Sequence, residues 1–320
     1  MKTTEPKLIL FSGKGGVGKT TCSASIAVKL ASQGIRTLHI TSDMAPSLGD
    51  IYEMDIGDRL TPVARNLDAV EFSQESIART WKEKFGPDFN EILSQFLDTE
   101  GIEQNGELDL LDYIGTAPSL REETLLDMIV EMASEGDYQR IIWDTAPAGE
   151  TLRLLHMPKL MRKHLKAGAR LYEAMDRLAG AVKKRRSLAG IMEEWVTRSE
   201  GIARFLQENT VFLVVANPEA LVVRQAERTL TALTDAGFSV HGLIINRIAV
   251  SDGSQFLRRA EENQKPYIRR LLLLGGELAV GRVYLTLEEI RGIEPLLSIG
   301  DRLSQELGLD KSSQISDLRC

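Results

Sequence analysis

The sequence predicts an α/β protein built around a phosphate-binding loop, and three observations predict it. Residues 13–20 read Gly13-Lys14-Gly15-Gly16-Val17-Gly18-Lys19-Thr20, with glycines at the first and sixth positions followed by Lys and Thr. An apolar run at 7–11 (Leu8, Ile9, Leu10, Phe11) precedes this loop, and 22–31 after it has helical spacing, with Ile26, Ala27, Leu30 and Ala31 on one face. Further apolar runs of strand length recur along the chain, separated by amphipathic stretches.

The order strand, glycine loop, helix is the context the motif requires. Glycines let the backbone curl so that successive N–H groups point at an anion. The helix start adds the positive end of its dipole. Lys19 would place a charge at the β- and γ-phosphates, and the Thr20 hydroxyl would ligate Mg²⁺. The expected nucleotide-binding set therefore runs from Gly13 through Lys14, Gly15, Gly16, Val17, Gly18, Lys19 and Thr20 to Thr21. Lys14 gives the loop a second lysine.

The 320 residues suffice for one large α/β domain or two modest ones. A net charge of −7 disfavours a nucleic-acid binder, which needs a basic face. Two cysteines, Cys22 and Cys320, provide no disulfide framework and suggest a reducing compartment. Residues 1–7 are polar and lead into a strand, so no secretory signal is expected. No apolar run approaches the ~20 residues of a membrane span. A cytoplasmic protein is expected, acting on membranes only through partners.

Residues 36–41 read as the second strand, ending before Ser42-Asp43. Asp43 then stands at a strand C-terminus, where ligands bind in open parallel sheets. The stretch 43–50 has the look of a switch loop. Asp43 there is either the group that orients or deprotonates an attacking water, or a helix-capping or turn residue. Residues 67–72 read as a strand, and 73–97 as a helix through Ile77, Trp81, Phe85, Phe89, Ile92, Leu93, Phe96 and Leu97. Residues 99–109 are acidic and glycine-bearing, a loop pattern; 124–133 is amphipathic. Residues 139–143 form an apolar strand ending at Asp144, followed by small residues including Gly149. Paired with the first loop, Asp144 is expected to hold Mg²⁺ through water.

Two helical stretches follow, 160–182 and 188–206, joined by a basic run at 183–186. That run reads either as a solvated helix end or as a contact for anionic lipid or a receptor. The helix faces carry Met175 and Met192, which serve either plain core packing or an adaptable groove for apolar peptides. Residues 210–216 are the most strand-like run, and a helix follows Asn217-Pro218-Glu219. Strand 240–246 ends at Asn246-Arg247, where such folds contact the base. A guanine reader would offer a carboxylate at Ala249; its absence favours ATP. A late strand at 281–285, a closing helix through 303–307 and a loose tail at 311–320 complete the chain.

Lys14, Asp144-Thr145-Ala146-Pro147 with Gly149 and Thr151-Leu152-Arg153, Pro218-Glu219, Asn246, and Glu289-Ile290-Arg291-Gly292 together resemble the arsenical-pump (ArsA-type) ATPases. That family includes the ATPases that target tail-anchored membrane proteins. The resemblance runs from the first strand to about residue 297. It implies a doubly wound, mostly parallel sheet and a helical subdomain inserted in two pieces, near 73–135 and 157–206. It also implies a homodimer in which Lys14 reaches the partner's nucleotide, with Asp43, Lys14 and Lys19 as catalytic residues. Asn246 and Arg247 would contact the base, and Thr20 and Asp144 the Mg²⁺.

The departures carry information. The family's first switch is usually Asp-Pro-Ala-His-Ser, whereas here it is Asp43-Met44-Ala45-Pro46-Ser47. Glu150 stands where the family usually has His, and Tyr284 replaces a Pro beside the adenine. The Cys-x-x-Cys of targeting members is matched by Ser254-Gln255-Phe256-Leu257, so no interface zinc is expected. Two cysteines cannot build a three-thiolate arsenite site within one chain. Two readings follow: an ATPase chaperone for apolar helical segments of membrane proteins, or an ATPase that drives or regulates a membrane anion pump and binds no client.

Overall fold

The computed structural model describes residues 6–41, 47–96, 118–145, 153, 156, 163, 166 and 188–309. Contacts gather the chain into two compact units: Met1–Phe72, Met132–Leu152 and Gln207–Cys320 in the first, and Ser73–Glu131 and Arg153–Leu206 in the second.

The first unit holds a sheet of β1 (Leu8–Gly13), β2 (Thr37–Thr41), β3 (Thr61–Ala64), β4 (Leu67–Glu71), β5 (Arg140–Asp144), β6 (Thr210–Ala216), β7 (Ser239–Ile248) and β8 (Ala279–Tyr284). The order is β3-β4-β2-β5-β1-β6-β7-β8. Only the β3–β4 pair is antiparallel. The sheet is therefore the mostly parallel α/β type. Its central strands are buried over their whole length, which is why they read as continuous apolar runs rather than alternating ones. The edge strand β3 escaped the sequence reading, whereas its hairpin partner β4 was read at 67–72. β3 is half-buried, carries Pro62, and is joined to β4 by a turn with Asn66 at φ 65°. A Pro-bearing edge strand lacks the apolar run that marks a central one.

Register sets one row across five strands, and it closes three of them, β4, β2 and β5. Glu71 pairs with Thr41, Thr41 with Asp144, Asp144 with Phe11, and Phe11 with Leu213. Every strand in this row ends at the same edge of the sheet, so their following loops gather there.

Helices α1 (Lys19–Ser32), α2 (Leu48–Tyr52), α6 (Ala220–Asp235), α7 (Gln255–Gly275) and α8 (Ile293–Leu307) complete this unit among the described residues. α1 buries ten of its residues, including Ile26, Ala27 and Leu30. It lies directly on α8: a Cβ built at Gly300 would stand 2.3 Å from the Ser25 carbonyl oxygen. Only glycine permits that backbone approach. α2 corrects the reading of 43–50 as a loop, since 48–50 are helical. α7 was not legible either. It has five basic residues, an internal Pro266 and few buried positions, so apolar periodicity is weak. Its start is marked by Ser254, whose hydroxyl accepts from the Leu257 N–H at 3.2 Å.

The second unit contains α3 (Gln74–Phe96) and most of α4 (Pro118–Glu135) and α5 (Leu188–Asn209). Trp81, Leu125, Leu126, Ile129, Ile191, Val196, Ile202 and Leu206 are buried. Asp127 sits among them, 5% exposed, and needs charged partners there. Arg198 Nε donates to its Oδ1 at 2.5 Å and Nη2 to its Oδ2, while Lys84 Nζ reaches the same carboxylate at 3.2 Å. The Arg198 guanidinium also covers the Phe85 ring at 5.1 Å, and Trp195 donates to Asp88 at 3.1 Å. Glu123 nearby is held protonated to higher pH by burial, although a Ser199 hydrogen bond opposes the shift. The loop at 99–109, the tail at 311–320 and, apart from residues 163 and 166, the helix at 160–182 lie outside the described residues.

Candidate functional site

β1 runs into the glycine loop because Gly13 packs against β6. A Cβ there would stand 2.4 Å from the Val215 carbonyl oxygen. Val17 is buried and anchors the loop's interior. Gly18 ends the loop at φ 91°, left-handed backbone that L side chains rarely adopt. It also serves as the N-cap of α1, with no side-chain cap and no acidic residue in the first turn. The first-turn N–H groups are therefore left for an anion, whose charge the helix dipole favours. Gly15 and Gly16 are exposed, Lys14, Thr20 and Thr21 are half-buried, and Lys19 is 7% exposed.

Asp144 closes β5 beside the loop and is 2% exposed. The Thr20 hydroxyl donates to its Oδ2 at 2.5 Å. Thr145 Oγ1 donates to the Phe11 carbonyl at 2.7 Å, locking the start of the following segment to β1. This donor set suits Mg²⁺: the Thr20 proton goes to Asp144, and the hydroxyl lone pair faces away from that bond. Cys22 lies two residues beyond Thr20, fully buried, and its thiol is pushed up to about 12 by burial and, to a smaller extent, by the Asp144 charge. Such a thiol is inert as a metalloid ligand.

Asn246 has a role that sequence reasoning missed. Its Nδ2 donates to the Val17 carbonyl at 2.8 Å, and its Oδ1 accepts from the Arg247 N–H at 2.8 Å. A Cβ on Gly18 would stand 2.2 Å from that Nδ2. The side chain thus ties the end of β7 to the phosphate loop, and a base contact would fall to its second Nδ2 proton. Arg247 follows at φ 56°, an uncommon conformation for arginine, with its carbonyl held by Gln264 Nε2 at 3.0 Å. The resulting cleft, about 620 Å³, is walled by Gly18, Thr20 and Thr21, by Ser47, Asp50 and Ile51, by Asn246 and Arg247, and by residues 284–291. Tyr284 lines it with the Arg302 guanidinium 5.0 Å from its ring. Asp43, Gly149 and Glu150 lie outside the described residues.

Two further polar groups hold this region. Glu71 Oε1 accepts from the N–H groups of Ser47, Leu48 and Gly49 at 2.8, 2.5 and 3.2 Å. His39, buried in β2, bridges α2 and α1: Nδ1 lies 2.7 Å from Tyr52 Oη, and Nε2 lies 3.0 Å from Ser23 Oγ. Ser23 donates to the Thr20 carbonyl at 3.0 Å, so its oxygen accepts from His39. That assigns the Nε2–H tautomer and makes Tyr52 the donor to Nδ1. Burial keeps this imidazole neutral, its pKa brought down to about 3. The available signal was a lone histidine in an apolar strand and a carboxylate at a strand's carboxyl end.

The family described as anion-transporting ATPase matches residues 6–305. The chain is 28% identical over 324 residues to the ATPase GET3B of Arabidopsis thaliana, covering 93% of this chain and 79% of that one. It is 29% identical over 311 residues to the ATPase ASNA1 homolog 1 of Paramecium tetraurelia, covering 91% and 90%. A putative arsenical pump-driving ATPase of Aquifex aeolicus is 28% identical over 312 residues, covering 91% and 76%. With the intact phosphate loop and Asp144 beside it, the chain belongs to the anion-transporting ATPase family and hydrolyses ATP.

Proposed function

We propose that this ATPase is a Mg²⁺-dependent homodimeric nucleotide switch that binds apolar helical segments of membrane proteins. The observation that carries the switch is the cleft itself, in which the phosphate loop, α2 and residues 284–291 form walls around one space. Lys19 and the α1 N-terminus would bind the phosphates. Thr20 and Asp144 would hold Mg²⁺, which when bound neutralises phosphate charge. Asp43 would orient the attacking water. Lys14 would act on the partner's nucleotide, and the dimer would form without interface zinc because residues 254–257 lack cysteine.

The chain is similar at nearly the same identity to a putative arsenical pump-driving ATPase and to GET3-named and ASNA1-named ATPases, and the latter two support a client-binding role. Cys22, buried and protonated, adds to this, since an arsenite-responsive site needs accessible thiolates. The described helices of the second unit open a cavity of about 590 Å³ that is lined mostly by polar and charged side chains such as Lys84, Asp88, Glu193 and Arg198, a poor lining for an apolar client. Trp81, Phe85, Leu120, Trp195 and Ile202 line a cavity of only about 40 Å³. Client capture would therefore draw on the half-buried Met192 and on residues 157–187, which include Met175.

The test is co-elution of a hydrophobic tail peptide with the purified protein, with and without ATP. We expect capture that changes with nucleotide and falls when Met175 and Met192 are made charged, with basal ATPase retained. No capture under any nucleotide condition would favour the pump-regulating alternative. Equal loss of capture and of melting temperature would identify the two methionines as core.

A further inference from the structure

We propose that Gln264 is a positioning residue for nucleotide recognition, fixing Arg247 beside Asn246 at the base end of the cleft. Successive residues of a strand point to opposite faces of a sheet. Asn246 and Arg247 nevertheless both line the cleft. The pairing of β7 with β8 shows how. Ile245 pairs with Arg282 and Ile248 with Tyr284, so Asn246 and Arg247 together stand opposite Val283 alone. Such a bulge bends its strand and re-aims a side chain. Arg247 takes up the bend at φ 56°, a conformation that persists in an arginine only where its surroundings hold it.

Gln264 holds that bulge from α7. The side chain is half-buried and is not among those lining the cleft. Its Nε2 donates to the Arg247 carbonyl at 3.0 Å, and its Oε1 accepts from the Ala249 N–H at 2.7 Å. Both ends of one amide are therefore used, and they bracket Ile248. The Ile248 carbonyl in turn accepts from the Leu285 N–H at 2.9 Å, where the 284–291 wall of the cleft begins. One turn back on the same helix face, Glu261 Oε2 accepts from the Ser251 N–H at 3.0 Å. Asn246 has its own anchor on the Val17 carbonyl, so Arg247 is the residue whose placement depends on Gln264. Without the two-point clamp, Arg247 relaxes toward ordinary strand backbone, in which its side chain turns to the face opposite that of Asn246.

Inorganic tripolyphosphate carries the phosphates without a base, so it separates base recognition from the phosphate loop. We expect Gln264→Leu to weaken ATP binding by roughly 3–30-fold, the scale of one or two lost hydrogen bonds, while tripolyphosphate affinity moves by less than about 2-fold. In turnover the loss should appear in the KM for ATP rather than in kcat. The role rests on Arg247 as a base contact, so Arg247→Ala is titrated with the same two ligands. If Arg247→Ala loses ATP selectively and Gln264→Leu does not, the positioning role is overturned and the base contact stands. If Gln264→Leu loses ATP selectively and Arg247→Ala does not, the Arg247 contact fails, and Gln264 positions the base end through the Ile248–Leu285 bond. No selective loss in either variant overturns both. Equal weakening of ATP and tripolyphosphate by Gln264→Leu overturns the positioning role as well, because the residue would then serve general stability. Should Gln264→Leu fail to fold, Gln264→Glu carries the comparison, since it keeps the acceptor for Ala249 and loses only the donor to Arg247.

Discussion

His39 is the residue whose chemistry is most altered by the fold. Its pKa falls from 6.5 to about 3 because burial between Tyr52 and Ser23 admits no charge. The unfolded chain takes up a proton below pH 6.5 that the folded chain refuses. Stability from this group is therefore complete above pH 6.5 and drains away as the pH falls toward 3, by ~1.4 kcal/mol per unit. From pH 7 to pH 5 the loss is about 2 kcal/mol. The groups facing the imidazole are the Tyr52 phenol, which burial and the Asp144 charge keep protonated, and the Ser23 hydroxyl. Urea unfolding at pH 7 and pH 5 should show this slope in the wild type and a shallower one in His39→Gln. Parallel slopes would mean that the imidazole is not buried neutral.

At the scale of elements, the α1–α8 contact sets where the phosphate-loop helix lies. Gly300 faces the Ser25 carbonyl and the Lys29 Cβ, at 2.3 and 2.9 Å from a built Cβ. Both are parts of α1 that cannot rotate out of the way. Gly300→Ala should therefore destabilise the protein by roughly 1–3 kcal/mol, the usual cost of overpacking. Because α1 begins at Lys19, the same change should raise the KM for ATP. An unchanged urea midpoint with unchanged KM would show that α8 slides away at little cost. The Asp127 cluster shows a different logic in the second unit. There a buried carboxylate is matched by Arg198 and Lys84, so α3, α4 and α5 are joined by charge as well as by apolar burial.

For the whole molecule, the central question is the second loop lysine. If Lys19 serves its own phosphates, as proposed, Lys14 needs another task. Acting in trans, as an arginine finger does, it would contribute ~10³–10⁵ in rate, or about 4–7 kcal/mol of barrier. Lys14→Ala and Asp43→Asn should each be nearly inactive. Mixed heterodimers should recover one working site, since the Lys14→Ala subunit keeps Asp43 and receives Lys14 from its partner. Native mass spectrometry identifies the heterodimer and reads any bound zinc in the same spectrum. A confirmed heterodimer that stays inactive would refute action in trans, and a mass carrying stoichiometric zinc would refute the zinc-free interface.

The sheet's central strands, the glycine loop, α1 and Asp144 were all legible in the chain. They rest on local rules: apolar runs long enough for a buried strand, glycines spaced for a curled backbone, and a carboxylate at a strand's end. What the tertiary structure decided depends on residues distant in sequence. Asn246 meets Val17 across a separation of 229, Glu71 caps α2 across more than 20, and Gly300 meets Ser25 through the packing of two helices. No periodicity announces such a bond, because each partner alone is an ordinary strand-end or helix residue. Their roles arise from parallel register, which brings Glu71, Thr41, Asp144 and Phe11 into one row. The sequence by itself determined which strand ends carry polar groups. The fold determined which of those groups line the cleft and which hold the segments that do, because a buried hydrogen bond needs a partner that only packing supplies.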